Sequence, residues 1–312
     1  MLKQIVYIAS SPYSGSTLLD ILLGMQKNCL SLGEVHRLGM QPEERMKSFG
    51  NRCSCAERLD DCEHWQNIKS TMSTAAGMSK ESDWSDWGIT LKAAHKPNLK
   101  AKAAAAVYSI SLALNAEYQA KIWRLPIFRE YRQVAKRSYF FSEHIASASE
   151  HETLIDSTKT ALRLYSLWQD KPQQIKVIHL VRDGRGIAYS RMKRSGDTIA
   201  KATKFWQRRI MPINKTLNAI ADEQKLLIKY EDLCAEPVQC VKEICRFLNT
   251  DFDPSRVCLA NAKHHMIPGN PMSSRKDSDI KLDEQWKTQL TPSELEYFSK
   301  HGAKLNTNFG YQ

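Results

Sequence analysis

Four short apolar runs, each followed by a polar loop and then by residues in helical spacing, constrain this chain more than any other feature. The runs are Ile5–Ala9, Thr153–Ile155, Lys176–Val181 and Lys225–Lys229, and the helical stretches behind them are Leu18–Met25, Ala161–Gln169, Gly186–Lys193 and Val238–Leu248. Pro237 stands at a first helical position before the last of these. Short apolar runs without polar alternation suit strands buried on both faces. Such strands in alternation with helices predict an α/β fold, a mostly parallel central sheet flanked by helices. Sheets of this kind take ligands at the carboxyl ends of their strands. Function is therefore expected in the loops that follow the runs.

The chain has 312 residues, 42% of them hydrophobic, which is enough to bury a sizeable core and too much for a disordered chain. We read residues 1–312 as a single domain. The segment from about 39 to 150, polar, rich in Lys and Ala and helical from Leu99 to about Ala148, reads as a mainly helical insertion or cap on the sheet. Lys and Arg number 45 against 34 Asp and Glu, a formal charge of +11, so an anionic partner is expected. The basic residues are spread through the chain, with no stripe, helix-turn-helix, zinc-finger or RNP-type motif, so nucleic acid is not the expected partner. No window approaches the roughly 18–20 apolar residues of a membrane-spanning helix. The N-terminal run Ile5–Ala9 lacks the h-region and cleavage site of a signal peptide, which makes the cytoplasm the expected compartment. Oligomeric state is not legible.

The first loop reads Ser10-Ser11-Pro12-Tyr13-Ser14-Gly15-Ser16-Thr17, small residues at the turn and hydroxyls at the helix start. Main-chain N–H groups there, with the positive end of the helix dipole, form a phosphate site. The sheet is thus of the P-loop type. The ATP-binding form of this loop needs a Lys where this chain has Ser16 and a Gly where it has Ser10. A kinase-like P-loop phosphotransferase is therefore disfavoured and kept as the alternative. The bland reading of the loop is a capped helix after a strand.

The second loop, Val181-Arg182-Asp183-Gly184-Arg185-Gly186-Ile187-Ala188-Tyr189-Ser190, follows the strongest strand. Arg182 and Ser190 are eight residues apart, a spacing that lets a strand-end guanidinium and a helix hydroxyl converge on one anion. Its bland reading is a surface Arg beside an Asp.

Together the loops resemble the sulfotransferases that use 3′-phosphoadenosine 5′-phosphosulfate (PAPS), especially bacterial relatives of the Golgi carbohydrate and tyrosylprotein enzymes. The resemblance rests on Tyr13 to Thr17, Leu32-Gly33-Glu34-Val35, Asp156-Ser157-Thr158-Lys159 and the Arg-Asp-x-Arg-x-x-x-x-Ser run from Arg182. It continues through Lys229-Tyr230-Glu231-Asp232-Leu233, Gly269-Asn270, Arg275 and Trp286-Lys287, and does not reach residues 67–150.

The resemblance implies that Tyr13, Ser14, Gly15, Ser16 and Thr17 hold the 5′-phosphosulfate and that Arg182 and Ser190 hold the 3′-phosphate. Tyr230 would lie near the adenine, and Arg275 with Lys276 would close over the phosphates. The product would be adenosine 3′,5′-bisphosphate (PAP), and the acceptor a hydroxyl, or less readily an amine, of a small molecule or carbohydrate. Sulfuryl transfer runs in line through a loose transition state, so positioning and charge dominate and no metal is expected. Glu34 is the expected base and His36 its rival. The chain departs from the family pattern at Tyr13, where most relatives carry Arg or Lys, and Lys159 is the cation expected to compensate.

Cys53, Cys55 and Cys62, followed by His64 and Trp65, invite a zinc reading with three thiolates and one imidazole. Cys-x-Cys is tighter than the usual zinc spacing and the fourth ligand is undetermined, so the preferred reading is reduced thiols in a compact loop beside the acceptor entrance. Cys234, Cys240, Cys245 and Cys258 have no metal-ligand spacing. Core packing is expected for at least two of Trp84, Trp87 and Trp123, and a solvated helix face for Lys121, Arg124, Arg129, Arg132, Lys136 and Arg137.

Overall fold

A computed structural model describes residues 1–79, 81–90, 99–259, 264–269 and 279–312. Five strands, β1 (Gln4–Ser10), β2 (Cys29–Gly33), β3 (Thr153–Asp156), β4 (Ile175–Val181) and β5 (Lys225–Lys229), form one sheet in the order β2-β3-β1-β4-β5. Every neighbouring pair is parallel. Strand β2 is the one that the apolar pattern does not announce: Cys-Leu-Ser-Leu-Gly is short, carries a serine, and lies at the edge of the sheet.

All seven residues of β1 are buried. Val6 and Ile8 pack on one face with Leu18, Leu19 and Leu22 of α1 (Ser16–Gly24), whereas Tyr7 and Ala9 face the opposite core. This two-sided burial is why the strand sequences lack alternation.

Between β2 and β3 the chain is helical. It forms a 3-10 turn at Val35–Gly39, then α2 (Pro42–Phe49), α3 (Glu63–Ala75), α4 (Leu99–Ser111), α5 (Ala116–Trp123) and α6 (Arg129–Ser149). The stretch expected to be helical from Leu99 to Ala148 is thus three helices. Asn115 starts α5 by accepting the Tyr118 N–H, and Pro126 lies in the turn that separates α5 from α6. Trp84, Trp87 and Trp123 are all buried, as the core reading requires. Lys121, Arg124, Arg129, Lys136 and Arg137 are exposed, and Arg132 is half-buried.

Beyond β3 come α7 (Ala161–Asp170), α8 (Gly184–Ser195), α9 (Ile199–Ala219), α10 (Tyr230–Ala235) and α11 (Pro237–Leu248). Among the described residues no helix is long and apolar enough to cross a membrane.

Candidate active site

Strand β1 lies between β3 and β4, so the loops that leave these strands fan out on either side of a switch point at one edge of the sheet. The first loop makes its turn with Tyr13 at φ 72° and Gly15 at φ 81°, both left-handed. A Cβ on Gly15 would lie 2.4 Å from the Tyr230 ring, so no larger residue fits. Helix α1 has no side-chain cap, which leaves the N–H groups of its first turn directed at the loop's concavity. Ser14 Oγ braces the turn by donating to the Ser11 carbonyl.

The loop after β3 is held from beneath. Asp156 accepts the Thr158 N–H at 3.0 Å and pairs with Arg163 at 2.9 Å, with both partners buried. The Tyr7 hydroxyl donates to the Thr160 carbonyl and accepts the Thr160 N–H. Between these anchors Lys159 takes a left-handed φ of 63°. Its ammonium stands 3.1 Å from Ser16 Oγ and 2.8 Å from Glu34 Oε1. The lysine expected to compensate for Tyr13 therefore meets the helix-start hydroxyl and the expected base at once.

Glu34 follows Gly33, whose φ of 65° and lack of a Cβ let the Ile267 backbone approach. The Glu34 N–H donates to the Ile267 carbonyl at 3.0 Å, and the Ile267 N–H to that of Leu32 at 3.1 Å. Gly269 covers the carboxylate, since a Cβ there would fall 2.1 Å from Glu34 Oε1. Burial alone raises the Glu34 carboxyl, but Lys159 and Arg37, the latter at 2.6 Å, outweigh it and hold the group below the usual carboxylate range. His36 faces Thr158 Oγ1 at 3.2 Å, and burial lowers it to about 3, so its imidazole is neutral at physiological pH. A small cavity beyond Thr158 is lined by His36, Ile89, Val134, Ser138 and Leu167.

Arg182, buried at the end of β4, donates to the Tyr13 carbonyl at 2.9 Å, and its guanidinium stacks 4.5 Å above the Tyr230 ring. It also pairs with Asp283 at 3.3 Å. The two loops that the sequence singled out are thus in direct contact. Tyr230 sits between them, against Gly15 on one side and Arg182 on the other. Gly186 admits the guanidinium, because a Cβ there would meet Arg182 Nε at 3.0 Å. Ser190 lies in the second turn of α8, half-buried. The Tyr13 side chain turns toward Phe205 and Arg191, while its carbonyl accepts from Arg182. Arg275 and Lys276 lie outside the described residues.

Sequence reasoning missed Asp20. This carboxylate is buried in α1 and accepts from Ser31 at 2.6 Å and from Ser157 at 2.5 Å, tying α1 to β2 and to the loop after β3. Burial raises it to about 7 against the opposing pull of both hydroxyls and Lys159. Its signal was a lone acid inside the apolar run Leu18-Leu19-Asp20-Ile21-Leu22-Leu23.

A family model described as the sulfotransferase family matches residues 6–254, and the chain belongs to that family. Among solved structures, the sulfotransferase domain from the curacin biosynthetic pathway is 22% identical with a TM-score of 0.51, over 96% of this chain and 97% of that one. The sulfotransferase domain from the Synechococcus PCC 7002 olefin synthase is 19% identical with a TM-score of 0.56, over 100% and 96%. A mouse sulfotransferase, SULT7A1, solved as a complex with PAP, is 12% identical with a TM-score of 0.48, over 99% and 89%. No curated protein matches the chain.

Proposed function

We propose that this sulfotransferase moves the sulfuryl group of PAPS to a hydroxyl of a small molecule or carbohydrate, in line and without a metal in the transfer. The carrying observation is Lys159, which bridges the phosphate loop and the buried carboxylate of Glu34. The site has the donors that a doubly phosphorylated adenosine needs. Residues 14–17, at the uncapped start of α1, fit the 5′-phosphosulfate. In this reading Arg182 and Ser190 hold the 3′-phosphate, and Tyr230, stacked under the Arg182 guanidinium, offers its ring to the base.

In this reading Glu34 takes the proton of the acceptor hydroxyl as its oxygen bonds to sulfur. Lys159 and the N–H groups of α1 meet the negative charge on the phosphate oxygen that departs with the electrons of the broken S–O bond. Before the donor arrives Lys159 holds Glu34 ionised, and an incoming phosphosulfate draws the ammonium toward itself, which leaves the carboxylate a stronger base. The insertion, residues 39–150, forms the acceptor side, and His36 and Thr158 line the small cavity there.

The test is transfer of labelled sulfate from PAPS to a panel of hydroxyl and amine acceptors, with magnesium-ATP as the control donor. Transfer from PAPS supports the reading, whereas phosphorylation by magnesium-ATP alone would replace it with a P-loop phosphotransferase.

A further inference from the structure

Three cysteines and a histidine that lies 203 to 212 residues further along the chain converge outside the transfer chemistry. Cys53, Cys55 and Cys62 lie on the loop between α2 and α3, and His265 lies on the segment that pairs with β2. Their ligand atoms all fall within 4.8 Å of one another. Cys55 Sγ is 3.7 Å from Cys62 Sγ, and His265 Nδ1 is 3.3 Å from Cys62 Sγ and 3.7 Å from Cys53 Sγ.

These spacings answer a specific geometry. A tetrahedral zinc with Zn–S near 2.3 Å and Zn–N near 2.0–2.1 Å has S···S edges of about 3.8 Å and S···N edges of about 3.6 Å. A disulfide would need its sulfurs about 2.05 Å apart. The His64 ring stacks on His265 at 4.8 Å between centroids and fixes its plane, so the histidine adjacent in sequence is a support and the distant one is the ligand. The loop and the segment are also joined through Ser54, whose N–H donates to the Met266 carbonyl at 3.1 Å and whose side-chain Oγ donates to the His264 carbonyl at 2.8 Å.

We propose that Cys53, Cys55, Cys62 and His265 bind one zinc ion in a closed, structural site. Three thiolates and one imidazole fill the tetrahedron and leave no position for a reacting water. The set is soft enough to select zinc over magnesium or calcium. Binding displaces the three thiol protons, and nothing is oxidised. The ion ties the first part of the insertion to residues 264–267, and that segment continues into Ile267, beside Gly33, and Gly269, against Glu34. The free thiols of Cys53, Cys55 and Cys62 agree with the expectation of reduced cysteines in a compact loop, and the proposal adds His265 as the fourth ligand that the sequence left undetermined.

The experiment is elemental analysis of the untagged full-length chain purified under reducing conditions, repeated on variants. About one zinc per chain is expected. Cys55 is exposed, so Cys55→Ser leaves the core untouched and should weaken zinc affinity by at least about 100-fold in a chelator competition. His265→Cys should retain the metal as a four-thiolate site, and His64→Ala should retain it as well. Cobalt in place of zinc should show the visible absorption of a tetrahedral thiolate site, lost in Cys55→Ser. Folded wild-type chain with under about a tenth of a zinc, iron in place of zinc, full zinc retention in Cys55→Ser, or a Cys55–Cys62 disulfide in metal-free protein would each overturn the proposal.

Discussion

The ammonium of Lys159 stands 2.8 Å from a carboxylate oxygen of Glu34, and both side chains are only 9% exposed. This pair, reached from two different strands, sets the charge of the site before any donor arrives.

Removing the cation should therefore be costly. Lys159→Met is expected to lower kcat by about 10²–10³, the loss typical of one preorganised transition-state donor, with a smaller effect on donor affinity. Steady-state kinetics on the variant and on Lys159→Arg check this. Equal kcat in all three proteins would remove Lys159 from the chemistry.

On the proposed reading Glu34 must be ionised to act, so activity is expected to fall as pH drops through its pKa. Because Lys159 and Arg37 hold that carboxyl below the usual carboxylate range, the acid limb of kcat/KM should lie below that range, and Lys159→Met should move it upward. Glu34→Gln should keep PAP binding and lose turnover by at least about 100-fold. Full turnover in Glu34→Gln would pass the role to His36.

Arg182→Ala should weaken PAP binding by at least about 1.5 kcal/mol, a little over tenfold, because a buried charge-assisted contact is lost. Isothermal calorimetry reads this directly. An unchanged affinity would place the 3′-phosphate elsewhere.

Asp20 makes a stability prediction of opposite sign to that of most carboxylates. Unfolded, it releases its proton near the ordinary aspartate value; folded, it holds the proton to about 7. Between those values the folded state binds more protons, so this group's contribution falls as pH rises, by up to about 4 kcal/mol above pH 7. Thermal melts of Asp20→Asn and of the parent chain should therefore diverge in favour of the variant between pH 5 and pH 8. A pH-independent difference would contradict it.

Much of this was legible in the sequence because strand burial and loop chemistry are local. Ile5 to Ala9 announces its strand by unbroken apolarity and Val177 to Val181 by a run interrupted only by His179, and Arg182 stands directly after β4, whereas Glu34 was singled out by the resemblance alone. What could not be read was set by distance. Strand β2 is an edge strand of five residues whose partner, β3, lies more than a hundred positions away. His265 meets Cys62 only because Gly33 lets residue 267 run alongside β2. The helix expected from Leu99 to Ala148 was over-extended because residue spacing alone does not reveal the cap at Asn115.

Gly15 has no room for even a methyl group beneath Tyr230, and Arg182 reaches across to the carbonyl two residues earlier. Variation in a lineage of such chains is thereby channelled. Drift at the first loop is blocked by collision, whereas the small cavity beside Thr158 is bounded by apolar side chains, Ile89, Val134 and Leu167, that make no such backbone contact with it. On the proposed reading the acceptor side and the donor side are thus walled by different kinds of contact, and only the donor side is fixed by backbone collision.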